Sequence, residues 1–250
     1  MLLFVWDEYI FMLVKIFLTG LPGSGKSTAY RSIYQYIEDL RRGWQVQRIN
    51  DYEILKAKCI ADTKRKRFRW TKHKAGFNVK DFTVLDEALE DARIEIISHK
   101  TSAKKELIVI EFARNDYGHA FEKFGKDILQ DAYFLFIEAK KSICLRRLKE
   151  RVKQPTTPDN HYVSSSIFRS YYHKNLHYDP SDLKTVYGIN ERNILVIENN
   201  GREADLIAKV EQFITAILAW EEEKKSFLES DNLSNTYASI RNSSDINTAC

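Results

Sequence analysis

The chain has 250 residues, of which 44% are hydrophobic and 30% charged, and its 39 Lys and Arg against 35 Asp and Glu leave a formal charge of +4 and a pI near 8.8. That composition excludes a generally disordered or fibrous chain and fits one soluble domain with insertions. The mild positive balance suits anionic partners without requiring them.

The first twenty residues are strongly apolar, but Asp7 and Glu8 interrupt them, and neither a basic leader nor a small-residue cleavage site is present. Export or membrane insertion is therefore not expected. Residues 1–11 read as an N-terminal appendage to a domain spanning 12–228. Leu13 to Thr19 is a short β-leaning run. From Lys26 the period becomes helical through Ala29, Ile33, Tyr36, Ile37 and Leu40, closing at Gly43. Residues 44–50, 106–112, 132–139 and 193–199 read as further strands. Helical patterns cover Asp81 to His99, Lys140 to Val152 and Glu203 to Phe227. Apolar strands alternating with helices predict an α/β domain with a parallel sheet covered on both faces. In the last helix, Leu206, Ile207, Val210, Phe213, Ile214, Ile217 and Leu218 form one stripe for the core.

Two segments break the alternation. Residues 61–80 hold a basic run around Phe68 and Trp70, and residues 152–182 are rich in Pro, Tyr and His. The second is too long for a plain turn and too short for a domain, which suits a lid. His161, His173 and His177 have no metal-ligand spacing. Cys59, Cys144 and Cys250 make no CxxC pair, so a reducing cytoplasm is the expected setting. Residues 229–250, rich in Ser and Asn, are expected to be a flexible polar tail.

The chemistry is concentrated in Gly20-Leu-Pro-Gly-Ser-Gly-Lys26-Ser27, which fits G-x-x-x-x-G-K-[ST] and lies between a predicted strand and a predicted helix. Glycines here let the backbone curl around phosphate while successive N–H groups and the helix N-terminus face its oxygens. Gly20, Gly23, Ser24, Gly25, Lys26, Ser27 and Thr28 are thus the expected cradle for a nucleoside triphosphate, ATP. Lys26 is expected to reach the β- and γ-phosphates and Ser27 to hold Mg²⁺.

With this motif in place, residues 12–215 resemble the P-loop kinases of the nucleoside monophosphate kinase type, the group of adenylate, shikimate, gluconate and polynucleotide 5′-kinases. The resemblance implies a P-loop NTPase three-layer α/β sandwich, a five-stranded parallel sheet in the order 2-3-1-4-5, a mobile lid at 152–182 and a C-terminal helix. It places Glu111, at the end of "LIVIEF", as a Walker-B-like metal ligand, with a solvated strand-end charge as the alternative. Arg114 follows three residues later, matching neither of the family's usual spacings, and with Asp116 it is an acceptor-site candidate. Arg147 and Arg151, one turn apart in "LRRLKER", resemble the lid arginines, the first packing on the base and the second meeting the transferred phosphate; Arg146 is a reserve. An exposed basic helix face is the alternative.

Asn50 and Asp51 stand at the carboxyl end of the second strand, where open α/β sheets hold ligands. Asp51 reads as the base for an acceptor hydroxyl with Asn50 beside it, or either residue caps the next helix. Cations interleaved with aromatics at residues 63–74 fit single-stranded nucleic acid, or a solvated insertion anchored by two rings. The resulting expectation is an ATP- and Mg²⁺-dependent phosphotransferase acting on a nucleotide, nucleoside or 5′-hydroxyl polynucleotide. The alternatives are a kinase of a small non-nucleotide metabolite and a nucleotide switch. No Asn/Thr-Lys-x-Asp motif for guanine is present.

Overall fold

A computed structural model of the chain describes residues 11–71, 76–100, 103–151, 153, 163–172 and 179–244. The element order is β1 (Met12–Thr19), α1 (Lys26–Leu40), β2 (Trp44–Asn50), α2 (Asp51–Ala61), β3 (Phe68–Trp70), β4 (Phe77–Val79), α3 (Thr83–Ser98), β5 (Lys105–Phe112), α4 (Tyr117–Glu122), α5 (Lys126–Leu129), β6 (Ala132–Glu138), α6 (Lys141–Arg151), α7 (Ser165–Ser170), α8 (Ser181–Tyr187), β7 (Ile194–Glu198) and α9 (Glu203–Ser244).

Five strands form one parallel sheet in the spatial order β2-β5-β1-β6-β7. Counting only these strands along the chain, the order is the expected 2-3-1-4-5. The most apolar strands occupy the middle, as a sheet covered on both faces requires. Successive side chains of β1 serve opposite layers. Val14, Ile16 and Leu18 join α1 and the α9 stripe in one core. Phe17 enters the other, among Phe121, Phe124 and Phe134 at ring-centroid distances of 5.8, 4.8 and 5.3 Å. Each fully buried side chain of this size contributes about 1.5–3 kcal/mol.

The parallel register brings the carboxyl ends of the central strands together: Leu18 lies opposite Glu111, and Asn50 opposite Glu111 from the other side. Because β1 is central, the turn that follows it opens in the middle of this edge.

The structure adds a two-stranded antiparallel hairpin, β3 with β4, where the sequence pattern offered only a basic run. Phe68 is buried in a small core with Leu55, Cys59 and Val84, which holds the hairpin onto α2 and α3. The last helix also runs on past Phe227 to Ser244, and no Gly or Pro follows Gly201 to stop it. Of the expected lid, only residues 153, 163–172 and 179–182 fall among those described, and they include α7; most of residues 1–11, Lys72, Lys74, His161, His173, His177 and Cys250 lie outside the described residues. Among the described residues, no helix is long and apolar enough to cross a membrane.

Candidate functional site

The loop from Gly20 to Gly25 leaves β1 and runs directly into α1. Its shape depends on glycine at two close approaches. A Cβ on Gly23, φ 82°, would stand 2.7 Å from the carbonyl oxygen of Cys144, and one on Gly25, φ 120°, only 2.3 Å from Asn199 Nδ2. Helix α1 has no side-chain cap and no acidic residue in its first turn. Its first amides and the positive end of its dipole are therefore left for an anion.

Lys26 is buried and donates through Nζ to the carbonyls of Gly20, at 2.8 Å, and Leu21, at 3.3 Å. Burial lowers its pKa, opposed by the carboxylates of Glu111 and Asp51. Ser24 Oγ is buried beneath the loop with no hydrogen-bond partner among the described residues.

Two clefts flank the loop. Gly25, Thr28, Arg147, Asn199, Glu203 and Leu206 line the one beside α1, α6 and α9. The other opens toward α2, the hairpin, α3 and α7 and encloses about 850 Å³, its open mouth included; it reaches Lys26, Asp51, Glu111 and Arg114. Gly23, Ser27 and Arg151 border both. A ligand in one cleft therefore meets a ligand in the other across the P-loop.

Arg147 does not stand free on a helix face. Its Nη1 donates to the Ser24 carbonyl at 3.1 Å and, more loosely, to that of Gly23 at 3.4 Å, while Nη2 reaches Asn199 Oδ1 at 3.4 Å. Asn199 Nδ2 donates to the same Ser24 carbonyl at 2.6 Å. Together they tie the Ser24 stretch of the loop to α6 and to the end of β7.

Glu111, buried at the end of β5, accepts at one carboxylate oxygen from Arg48 of β2, from Nη2 at 2.6 Å and Nε at 3.1 Å. The Arg48 guanidinium also lies 4.3 Å above the Tyr30 ring. A solvated strand-end charge is thus not what this residue is. Ser27 and Glu111 offer oxygen donors beside the loop, and among the described residues no three His, Cys, Asp or Glu side chains make an all-protein metal cage. Such a sparse oxygen set fits Mg²⁺, which keeps several waters and takes other ligands from phosphate.

Asn50 caps α2, its Oδ1 accepting from the Tyr52 amide at 3.0 Å, and this frees Asp51 to turn into the cleft. There Arg114 donates to Asp51 Oδ2, to the Ala113 carbonyl at 2.8 Å and to the Leu85 carbonyl at 2.7 Å. Burial works against the Arg114 charge, but Asp51, Tyr171 and Tyr172 outweigh it and its pKa is raised. Asp116 instead caps α4, accepting from the His119 amide at 3.0 Å. Arg146 is not among the residues lining either cleft.

Arg48, Asn199 and the aromatic wall of the cleft toward α2 and α7 escaped the sequence reading. Asn199 had a signal, since it ends a parallel strand at the ligand-binding edge. The basic run is partly used within the fold: Arg67 pairs with Asp81 at 3.2 Å and with Glu87 at 2.5 Å, and Phe68 is buried.

No protein-family model matches the chain, and no curated protein matches it. Among solved structures it is similar to Kti12 of Chaetomium thermophilum in complex with ADP-AlF3, with a TM-score of 0.51 and 15% identity over 81% of this chain and 97% of that one. A gluconokinase from Sinorhizobium meliloti 1021 gives a TM-score of 0.47 at 14% identity, covering 87% of this chain and 98% of that one. Shikimate kinase from Acinetobacter baumannii, in complex with shikimate, gives 0.41 at 18%, covering 82% and 94%. What the first of these comparisons shows is the fold alone, the α/β fold of a P-loop protein.

Proposed function

We propose that this chain is an ATP-dependent phosphotransferase whose acceptor is a nucleoside, a nucleotide or a 5′-hydroxyl polynucleotide. The observation that carries this reading is the P-loop lying between two clefts, one bordered by Gly25 and Thr28 and the other holding the buried Asp51–Arg114 pair. A hydrolase or switch has no need of a second, deep cleft with a positioned carboxylate at its inner end.

ATP occupies the α1 side, its triphosphate curled in the loop and Arg147 beside the base. Lys26 leaves the carbonyls of Gly20 and Leu21 for the β- and γ-oxygens, which replaces two neutral acceptors by charged ones. Arg151, bordering both clefts, spreads its charge over the phosphoryl group in transfer. Ser27 and Glu111 would hold Mg²⁺, which supplies charge neutralisation on the phosphate oxygens when bound. Asp51 takes the proton of the acceptor hydroxyl as its oxygen bonds to the γ-phosphorus, the bond to the β–γ bridging oxygen breaks, and ADP leaves. Arg114 fixes the Asp51 carboxylate in the orientation that this transfer needs.

The test is ADP formation with and without a panel of hydroxyl acceptors, with the phosphorylated product identified by mass. Acceptor-stimulated turnover is expected. Turnover raised only by a protein partner would replace this reading with a nucleotide switch.

A further inference from the structure

We infer that the acceptor is an uncharged alcohol carried on a flat ring system, of nucleoside type, and that phosphomonoesters and sugar acids are poor acceptors. This rests on the phosphotransferase reading and names the substrate class of its acceptor-side cleft.

Two observations converge. The first is the wall. Beyond Asp51 the cleft is bounded by two parallel-stacked ring pairs, Tyr52 with Phe77 at 5.4 Å and 8°, and Phe82 with Tyr171 at 5.1 Å and 5°. Phe82, one of the residues lining this cleft, is 43% exposed overall, so a flat ligand has ring surface available to cover. The face of a planar ring loses little water against such walls and gains stacking contact.

The second is charge. Arg114 is the cation paired with Asp51, it is 3% exposed, and both terminal nitrogens are engaged, Nη1 by Asp51 and the Ala113 carbonyl and Nη2 by the Leu85 carbonyl, while Nε is buried away from the surface. Lys26 and Arg151 sit at the P-loop margin, where the triphosphate needs them. A carboxylate or phosphate on the acceptor would either break the buried Asp51–Arg114 pair or be buried without compensation, and both are costly. An uncharged nucleoside requires neither.

The experiment uses the full chain with ATP and Mg²⁺, and offers adenosine, guanosine, cytidine and thymidine, their 5′-monophosphates, and gluconate. ADP release reports transfer, and calorimetric titration reports acceptor binding independently. At least one nucleoside is expected to exceed every charged acceptor by about tenfold in kcat/KM, and Phe82→Leu and Tyr171→Leu to raise its KM by roughly tenfold with kcat little changed. A monophosphate or gluconate preferred over all nucleosides overturns the inference and leaves the phosphotransferase reading standing. Nucleoside binding that Phe82→Leu weakens, without any ADP release, supports the pocket chemistry and removes the phosphotransferase reading. Absence of both binding and transfer with every nucleoside overturns the inference.

Discussion

Arg48 of β2 and Glu111 of β5, on adjacent parallel strands, share one carboxylate oxygen at 2.6 and 3.1 Å in a setting where their side chains are only 13% and 7% exposed. Removing one partner leaves the other charged and buried. Arg48→Met is therefore expected to destabilise the chain by about 3 kcal/mol, while Arg48→Met combined with Glu111→Gln recovers most of that loss. Urea unfolding of the two single variants and the double variant closes the cycle; additive losses would mean that the pair does not act as one unit.

Lys26 has the opposite relation to stability. Burial holds its pKa below 10.5, so the unfolded chain binds that proton more tightly than the folded one. Stability contributed through this group accordingly rises with pH between the lowered pKa and 10.5, and at neutral pH the charge is a cost. Lys26→Met is expected to gain about 1 kcal/mol in the nucleotide-free chain while lowering phosphoryl transfer at least about 100-fold. Thermal unfolding and ADP release on the same preparation check both halves. A variant that keeps its turnover would remove the P-loop from the mechanism.

The Asn199 amide spans Ser24 and Arg147 and so is expected to act on nucleotide binding through the loop that it holds. Asn199→Ala leaves the buried loop short of a hydrogen bond worth about 1–2 kcal/mol, which corresponds to about a tenfold weaker affinity for ATP. Fluorescent-nucleotide titration measures it.

For Asp51, the expected split is between chemistry and nucleotide affinity. Asp51→Asn retains the size of the group and one oxygen toward Arg114 but removes the base, so kcat falls by roughly 10²–10⁴-fold with ATP affinity within about twofold of the parent. Equal losses in both would indicate that the residue holds the cleft together.

Alkaline pH tests the tyrosine-lined interior. Burial raises the pKa of Tyr52 to about 12 and also raises those of Tyr117, Tyr171 and Tyr172, the last well above its ordinary value. Since the folded pKa values exceed the unfolded value of 10, the stability from these groups is complete below pH 10 and is lost as pH climbs through the folded values. Unfolding monitored by circular dichroism should coincide with the appearance of tyrosinate absorbance above pH 10. Titration of all tyrosines with the fold intact would contradict the packing described here.

Features carried by local pattern were legible from the residues alone. The P-loop announces itself through spacing, because backbone amides around phosphate demand glycine at fixed offsets. The central strands announce themselves by continuous apolarity, and the α9 stripe by its period. The β3–β4 hairpin was hidden because three-residue strands carry too little period to register, and its cations masked the apolar side of Phe68. The choice of cap between Asn50 and Asp51 was undecidable at that level, since both residue types cap helices well; the backbone chose Asn50, and Asp51 was thereby released into the cleft.

By itself, then, the sequence determined that this chain places a P-loop motif between a strand and a helix of an α/β domain, because those features depend on neighbours within a few residues. Only the tertiary structure decided which distant groups meet there: Arg48 with Glu111 and Asp51 with Arg114, each 63 residues apart, and Arg147 with Asn199, 52 apart. These pairings follow from strand order and register, which are set by the burial of both sheet faces at once and leave no periodic trace in any one segment.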